Sequence, residues 1–246
     1  LCGRSFEYYS EDPYLSGKLA AGFIRGAQKQ GVSACAKHYA ANAQELLRMH
    51  SDSVMDERTL REMYLTNFEI AIKEGKPGFV MTAYNRVNGV YANESRHLLG
   101  DILRGEWGFD GAVVTDWGGS NSIVEGVREG MNLEMPAAGD DSPCQLVKAV
   151  KDGTIDEKIV DERVDQLLDF VLAERKSGET SFDAAKQHQA AEAAAEKCLV
   201  LLKNDEHLLP LKKNARVAVI GEFAARSRYQ GCLLYTSPSP RDRTRS

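Results

Sequence analysis

Between residues 32 and 155 the chain alternates extended and helical segments about four times over. This alternation constrains the fold more than any other feature, because β-then-α units of this length imply a parallel sheet with helices packed on it. The extended segments are VSACAKHYA (32–40), GFVMTAYN (78–85), GAVVTDWGG (111–119) and a short MNLEMP (131–136). Helical segments run over 13–31, 56–75, 96–108, 120–130, 142–153 and 155–178. Gly75 and Pro77 end the second of these and Gly108 the third, while Thr154 and Glu157 form a capping box for the last. In that last helix Val160, Val164, Leu167, Leu168 and Val171 make an apolar stripe. Four units are half of an eight-fold barrel; a doubly wound sheet is the rival, and periodicity alone does not choose between them.

GAVVTDWGG raises the chemical question. Its run through Val113 and Val114 looks buried, yet it ends on a carboxylate, Asp116. In parallel α/β architectures ligands sit at the carboxyl ends of the strands. Glycines 118 and 119 allow close backbone approach there. Taken alone, Asp116 reads as a helix cap or turn residue. The other strand ends change the weighing. The first offers Lys37 and His38, the second Met81 and Tyr84, the third Asp116 and Trp117. In a parallel barrel these tips meet at one face. One acid, an ammonium, an imidazole, a phenol and an indole suit a polyhydroxylated ligand: the indole takes sugar C–H groups and the charged groups clamp hydroxyls. Asp116 then has the chemistry of a nucleophile at an anomeric carbon, and retention would require a second carboxylic acid about 5–5.5 Å away.

Composition excludes several function classes. Net charge is −5 over 246 residues, against nucleic acid as the main partner. No apolar run approaches the roughly 20 residues of a membrane helix. Five cysteines, odd in number and without a CxxC pair, suit neither a disulfide framework nor a zinc site. No cofactor or metal is expected, and oligomeric state stays open. Leu1 is not a natural start, so the N-terminus is expected to be missing; a cytoplasmic location is the working expectation.

After Gly178 the composition shifts. An alanine-rich helix over 183–198 suits a connector, and VAVIG (217–221) reads as the first strand of a new α/β layer. Residues 232–242, CLLYTSPSPRD, match the translation of a DNA string that resembles a transposase-based sequencing adapter, so 232–246 is expected to be non-native tail.

The stretches GRSFEYYSEDPYLSG, GVSACAKHYAANAQE, VMTAYNRVNG, LRGEWGFDGAVVTDWGG and LVLLKN…LLPL…VAVIG together resemble glycoside hydrolase family three, β-glucosidase branch, over residues 1 to about 224. The resemblance implies an α/β chain: the C-terminal part of a (β/α)8 TIM-type barrel in 1–174, a linker in 175–195, and the start of an α/β sandwich in 196–231. It implies Asp116 as catalytic nucleophile, with Lys37 and His38 binding sugar hydroxyls. Arg4, Arg48, Met81, Tyr84 and Trp117 would complete the subsite, Tyr84 also reaching the nucleophile. The implied substrate is a β-glucoside or oligosaccharide.

Two departures matter. The acid/base glutamate of the branch lies in the sandwich domain, and Glu222 matches no such motif; the chain is therefore expected to be an inactive truncated piece. KHYAANAQE also lacks the proline, second glycine and Asp-x-His of the N-acetylglucosaminidase loop, and the surroundings of His50 differ. The alternatives are a β-xylosidase or β-N-acetylhexosaminidase of the family, a Schiff-base aldolase using Lys37, and a non-catalytic sugar-binding relative. A phospho-acceptor domain fails for want of an acidic pair at a strand end.

Overall fold

The computed structural model describes residues 8–137, 139–173 and 182–225. The chain divides into two compact units, Leu1–Ser177 and Gly178–Ser246.

The first unit is α/β. Helix α1 (Pro13–Lys29) starts where Asp12 accepts hydrogen bonds from the N–H groups of Tyr14 and Leu15, with proline at a position that needs no N–H partner. Strands β1 (Cys35–Tyr39), β3 (Phe79–Thr82) and β6 (Ala112–Val114) form a parallel sheet in the order β1-β3-β6, so each new strand joins the outer edge of the last. Leu133 extends the series by a parallel bridge to Val114, so the expected MNLEMP strand shrinks to one contact. Between β1 and β3 a helical run crosses back: α2 (Glu57–Thr59), a π-helical segment Leu60–Leu65, α3 (Thr66–Ile70) and a second π-helical segment Ala71–Gly75. A π-helical segment, His97–Glu106, makes the crossover from β3 to β6.

One face of the sheet presents Val80 and Val113, both fully buried, with Ala36 beside them. They pack on Leu60, Leu65 and Phe68 of the first crossover and on Leu98, Leu99, Ile102 and Leu103 of the second. Burying this row supplies most of the cohesion that sheet and helices gain on folding. Arg104 ties the entry of β6 from beneath: its guanidinium donates to the carbonyls of Phe109, Gly111 and Gly130 and to the Asn132 side chain. Burial pushes Arg104 down to about 10.

Helices α4 (Ile123–Glu129), α5 (Asp141–Lys151) and α6 (Glu157–Ala173) share a second core around Ile123, Val127, Met131, Ala149 and Ile155. The expected Thr154 cap is corrected: Asp156 accepts from Lys158 N at 3.0 Å, whereas Thr154 is turned back onto Asp152. A carboxylate one residue before the helix outcompetes a hydroxyl already committed to a turn. Phe170 of α6 stacks edge-on to Phe79 at 4.5 Å and lies against Gly78, at the amino end of β3. Thus α6 closes the bottom of the sheet and leaves the carboxyl ends for the site.

A small second sheet of β2 (Asp52–Ser53), β4 (Arg86–Val87) and β5 (Val90–Tyr91) was not foreseen. Asn88 and Gly89 turn it, at φ 50° and 88°. The Asn-Gly pair in RVNGVY is a hairpin signal that sequence reading passed over.

In the second unit α7 (Ala184–Cys198) is exposed along its length, capped by Asp183 onto Lys186 N. The VAVIG strand is not formed: Val217, Val219 and Ile220 are exposed, and among the described residues nothing pairs with them. A strand is stable only when a neighbour takes its backbone hydrogen bonds.

Candidate active site

The site grows from a defect in β1. Lys37 pairs with Met81 and Tyr39 with Thr82, so His38 is an extra residue in the ladder. Such a bulge re-aims a side chain. Tyr39 enters the core, where its hydroxyl donates to the Leu98 carbonyl at 2.9 Å and its ring meets Phe68 and Trp107 edge-on. Burial raises the Tyr39 pKa well above its ordinary value, so it stays a phenol. His38 is released to the sheet's carboxyl end. There its Nε2 lies 3.3 Å from Oδ2 of Asp116, with side chains 2% and 8% exposed.

Asp116 is fixed from its other oxygen. Oδ1 accepts from the N–H of Trp117 at 2.7 Å, whereas among the described residues Oδ2 has no aligned hydrogen-bond donor. The backbone folds beneath it: Gly119 N donates to the Asp116 carbonyl and Gly118 N to Met135 O, both at 2.8 Å. Gly118 sits at φ 72°, where a side chain is strained. At Gly119 a Cβ would come within 3.1 Å of the Asp116 carbonyl and 3.4 Å of the Tyr84 ring. The two glycines therefore let this turn lie flat against Tyr84.

Tyr84 comes from the end of β3. Its hydroxyl donates to the Trp117 carbonyl at 2.8 Å, one residue along from the carboxylate it was expected to reach. Arg48 covers the Tyr84 ring at 4.9 Å and lies 3.7 Å from Glu45. The Trp117 indole is 61% exposed, open for stacking. Lys37, Met81 and Val114 form one rung across the three strands, two residues before Asp116 on β6. Lys37 is exposed and Met81 half-buried. Arg4 lies outside the described residues.

Sequence reading missed Tyr8. Its hydroxyl is 3.1 Å from Nδ1 of His38, so the imidazole is held from both sides. The aromatic pair in GRSFEYYSEDP was the available signal. A cleft of about 590 Å³ opens on this side of His38, lined by Tyr8, Asn42, Tyr64, Asn67 and Phe68 among others; Asp116, Lys37 and Trp117 do not line it. Among the described residues, no group of three His, Cys, Asp or Glu side chains is arranged to hold a metal ion, and no helix is long and apolar enough to cross a membrane.

Residues 2–170 match the glycosyl hydrolase family 3 N terminal domain. The chain belongs to glycosyl hydrolase family 3. It is 48% identical, over 94% of its length, to thermostable beta-glucosidase B of Acetivibrio thermocellus, and 42% identical, over 94%, to an exo-alpha-(1->6)-L-arabinopyranosidase of Bifidobacterium longum. Among solved structures it resembles the family 3 beta-glucosidase of Bifidobacterium adolescentis, with a TM-score of 0.88 and 42% identity over 94% of the chain. It also resembles beta-glucosidase 3B of Thermotoga neapolitana in complex with glucose, with a TM-score of 0.82 and 43% identity over 87%. The chain spans 31% and 32% of those two sequence relatives and 34% and 31% of those two structures.

Proposed function

We propose that the whole protein is a retaining, exo-acting β-glycosidase of the β-glucosidase type, to which this chain contributes the nucleophile and much of the sugar subsite. The observation that carries this reading is the buried contact of Asp116 with His38 at the carboxyl end of a parallel sheet. Sequential addition of β1, β3 and β6 fits part of a (β/α)8 barrel over 1–174, followed by a linker at 175–195 and a sandwich domain beginning at 196.

Oδ2 of Asp116 attacks the anomeric carbon as the bond to the glycosidic oxygen breaks, and the leaving oxygen takes a proton from a carboxylic acid. Water then attacks the same carbon, giving its proton to the carboxylate that acid has become, and frees Asp116. The Trp117 N–H on Oδ1 holds the carboxylate so that Oδ2 keeps its lone pair for attack. Lys37 and Arg48 clamp hydroxyls, Trp117 stacks on the ring, and Tyr84 and Met81 shape the floor. His38, which its motif assigns to the same task as Lys37, has its ring nitrogens facing Tyr8 and Asp116 and acts through the nucleophile. Arg4 is assigned a hydroxyl-binding role by its motif alone. No residue here carries the acid/base motif of the branch, so the proton donor is assigned to a glutamate beyond these residues. The 246-residue chain by itself is expected to turn over unactivated glucosides poorly.

A 2-deoxy-2-fluoro-glucoside with an activated leaving group tests this reading on the whole protein. The adduct is expected on the peptide bearing Asp116. Borohydride trapping of a carbonyl substrate on Lys37 would instead establish aldolase chemistry. Parallel assays with aryl β-glucoside, β-xyloside and α-L-arabinopyranoside rank the sugar, the last because two relatives are named arabinopyranosidases.

A further inference from the structure

We propose that Tyr8 is a positioning residue, whose hydroxyl fixes His38 in the tautomer that carries its hydrogen on Nε2, facing Asp116. This inference rests on the reading of Asp116 as nucleophile and extends it to a residue outside the expected set.

The geometry is a relay across one imidazole. Tyr8 Oη lies 3.1 Å from Nδ1, and Nε2 lies 3.3 Å from Asp116 Oδ2. An ionised carboxylate only accepts, so the ring nitrogen facing it must bear the hydrogen. A neutral imidazole then presents Nδ1 as a lone pair and needs a donor there. A phenol suits this better than water, because its own lone pair is shared with the ring and it donates more readily than it accepts. The cleft lined by both Tyr8 and His38 makes the distinction matter. Water standing in that cleft could donate or accept, and so would select neither tautomer. The opposite tautomer would set Nε2 and Oδ2 lone pair to lone pair across the contact. The 3.3 Å separation is long for a working bond, as is common at catalytic groups before substrate closes the site.

Tyr8 is well placed for the task. It precedes Asp12, whose side chain caps α1, and α1 packs along α3. The hydroxyl is thereby tied to the frame of the domain rather than to the loop that carries Asp116.

Nitrogen-15 NMR of labelled histidine in the whole protein reads the tautomer. The unmodified protein is expected to show His38 with hydrogen on Nε2 alone, and Tyr8→Phe, which removes only the hydroxyl, to mix the tautomers. Incorporating 3-fluorotyrosine at Tyr8, a stronger donor of nearly the same shape, should shift Nδ1 the other way and covers the case of a poorly folded Tyr8→Phe. Tyr9→Phe is the control: its ring lies 6.5 Å from Phe23, and it should leave His38 unchanged. In the whole protein, Tyr8→Phe should lower kcat on an aryl glucoside about tenfold with KM within about twofold. The proposal is overturned by His38 signals identical in Tyr8→Phe and the parent, by Tyr9→Phe moving them equally, or by an unchanged kcat with mixed tautomers. Failure of the fluorosugar to label Asp116 would sink the nucleophile reading instead, and the tautomer measurement would still decide what Tyr8 does.

Discussion

His38 and Asp116 meet at 3.3 Å although His38 lies on β1 and Asp116 two residues past the end of β6, strands that do not touch: β1 and β6 flank β3, and the two side chains join across its carboxyl end. Asp116→Asn keeps the shape and removes the carboxylate proposed as nucleophile. In the whole protein it should lower kcat by on the order of 10⁴-fold or more and abolish fluorosugar labelling. His38→Ala should cost on the order of 10²-fold in kcat/KM, the scale of losing one preorganised donor. Labelling that persists in Asp116→Asn would move the nucleophile elsewhere.

Trp117 ties the site together by its backbone and leaves its ring exposed. Its N–H and carbonyl bond Asp116 and Tyr84, while the indole stands 61% exposed. Trp117→Ala should therefore change unfolding free energy by no more than about 0.5 kcal/mol. The loss should fall on saccharide binding, about tenfold in kcat/KM. Denaturant melts beside kinetics separate the two, and a large drop in stability would mean that the ring packs rather than stacks.

Gly78 is required by Phe170. A Cβ there would lie 2.3 Å from Cε2 of that ring and 2.8 Å from the Ser33 hydroxyl. Gly78→Ala should destabilise by about 1–3 kcal/mol through overpacking. Combined with Phe170→Ala it should cost less than the sum of the single changes, because the second removes the clash. Strict additivity in urea unfolding would show that α6 does not close the base of the sheet.

The two crossovers are joined by an ion-pair network at the surface. Arg61 takes Glu106 in a two-pronged contact at 2.6 and 2.8 Å, and also bonds Glu57, which His97 approaches at 3.0 Å. Burial raises Glu57, but hydrogen bonds from Arg61 and His97 outweigh it and leave the carboxyl below its usual 4.5. The hydrogen bond from Arg61 lowers Glu106 likewise. Carboxyls depressed on folding contribute stability that is complete above the unfolded value and lost as pH falls through the folded one. Melting temperature should therefore drop as pH falls below about 4.5, and Glu106→Gln should flatten that drop. Identical acid limbs for parent and variant would rule out a contribution from the pair.

Much of this was legible in the residues. The α/β alternation gave the order of the helices and the three strands, because period-2 and period-3.6 burial is written locally. The strand tips that hold Lys37, His38, Met81, Tyr84, Asp116 and Trp117 followed from the same pattern. VAVIG misled, since β-branched residues announce a strand without supplying its neighbour. Tyr8 was overlooked because its partner is thirty residues away.

The sequence by itself thus determined the order of the helices and of the three strands of the main sheet, and which polar residues crowd those strand ends, since both depend on neighbours along the chain. Only the tertiary structure decided that β1 slips by one residue at His38, that Tyr84 bonds the Trp117 carbonyl, and that Tyr8 stands behind the imidazole. Those contacts join residues remote in sequence, and their geometry is set by how strands and helices pack, which no local pattern encodes.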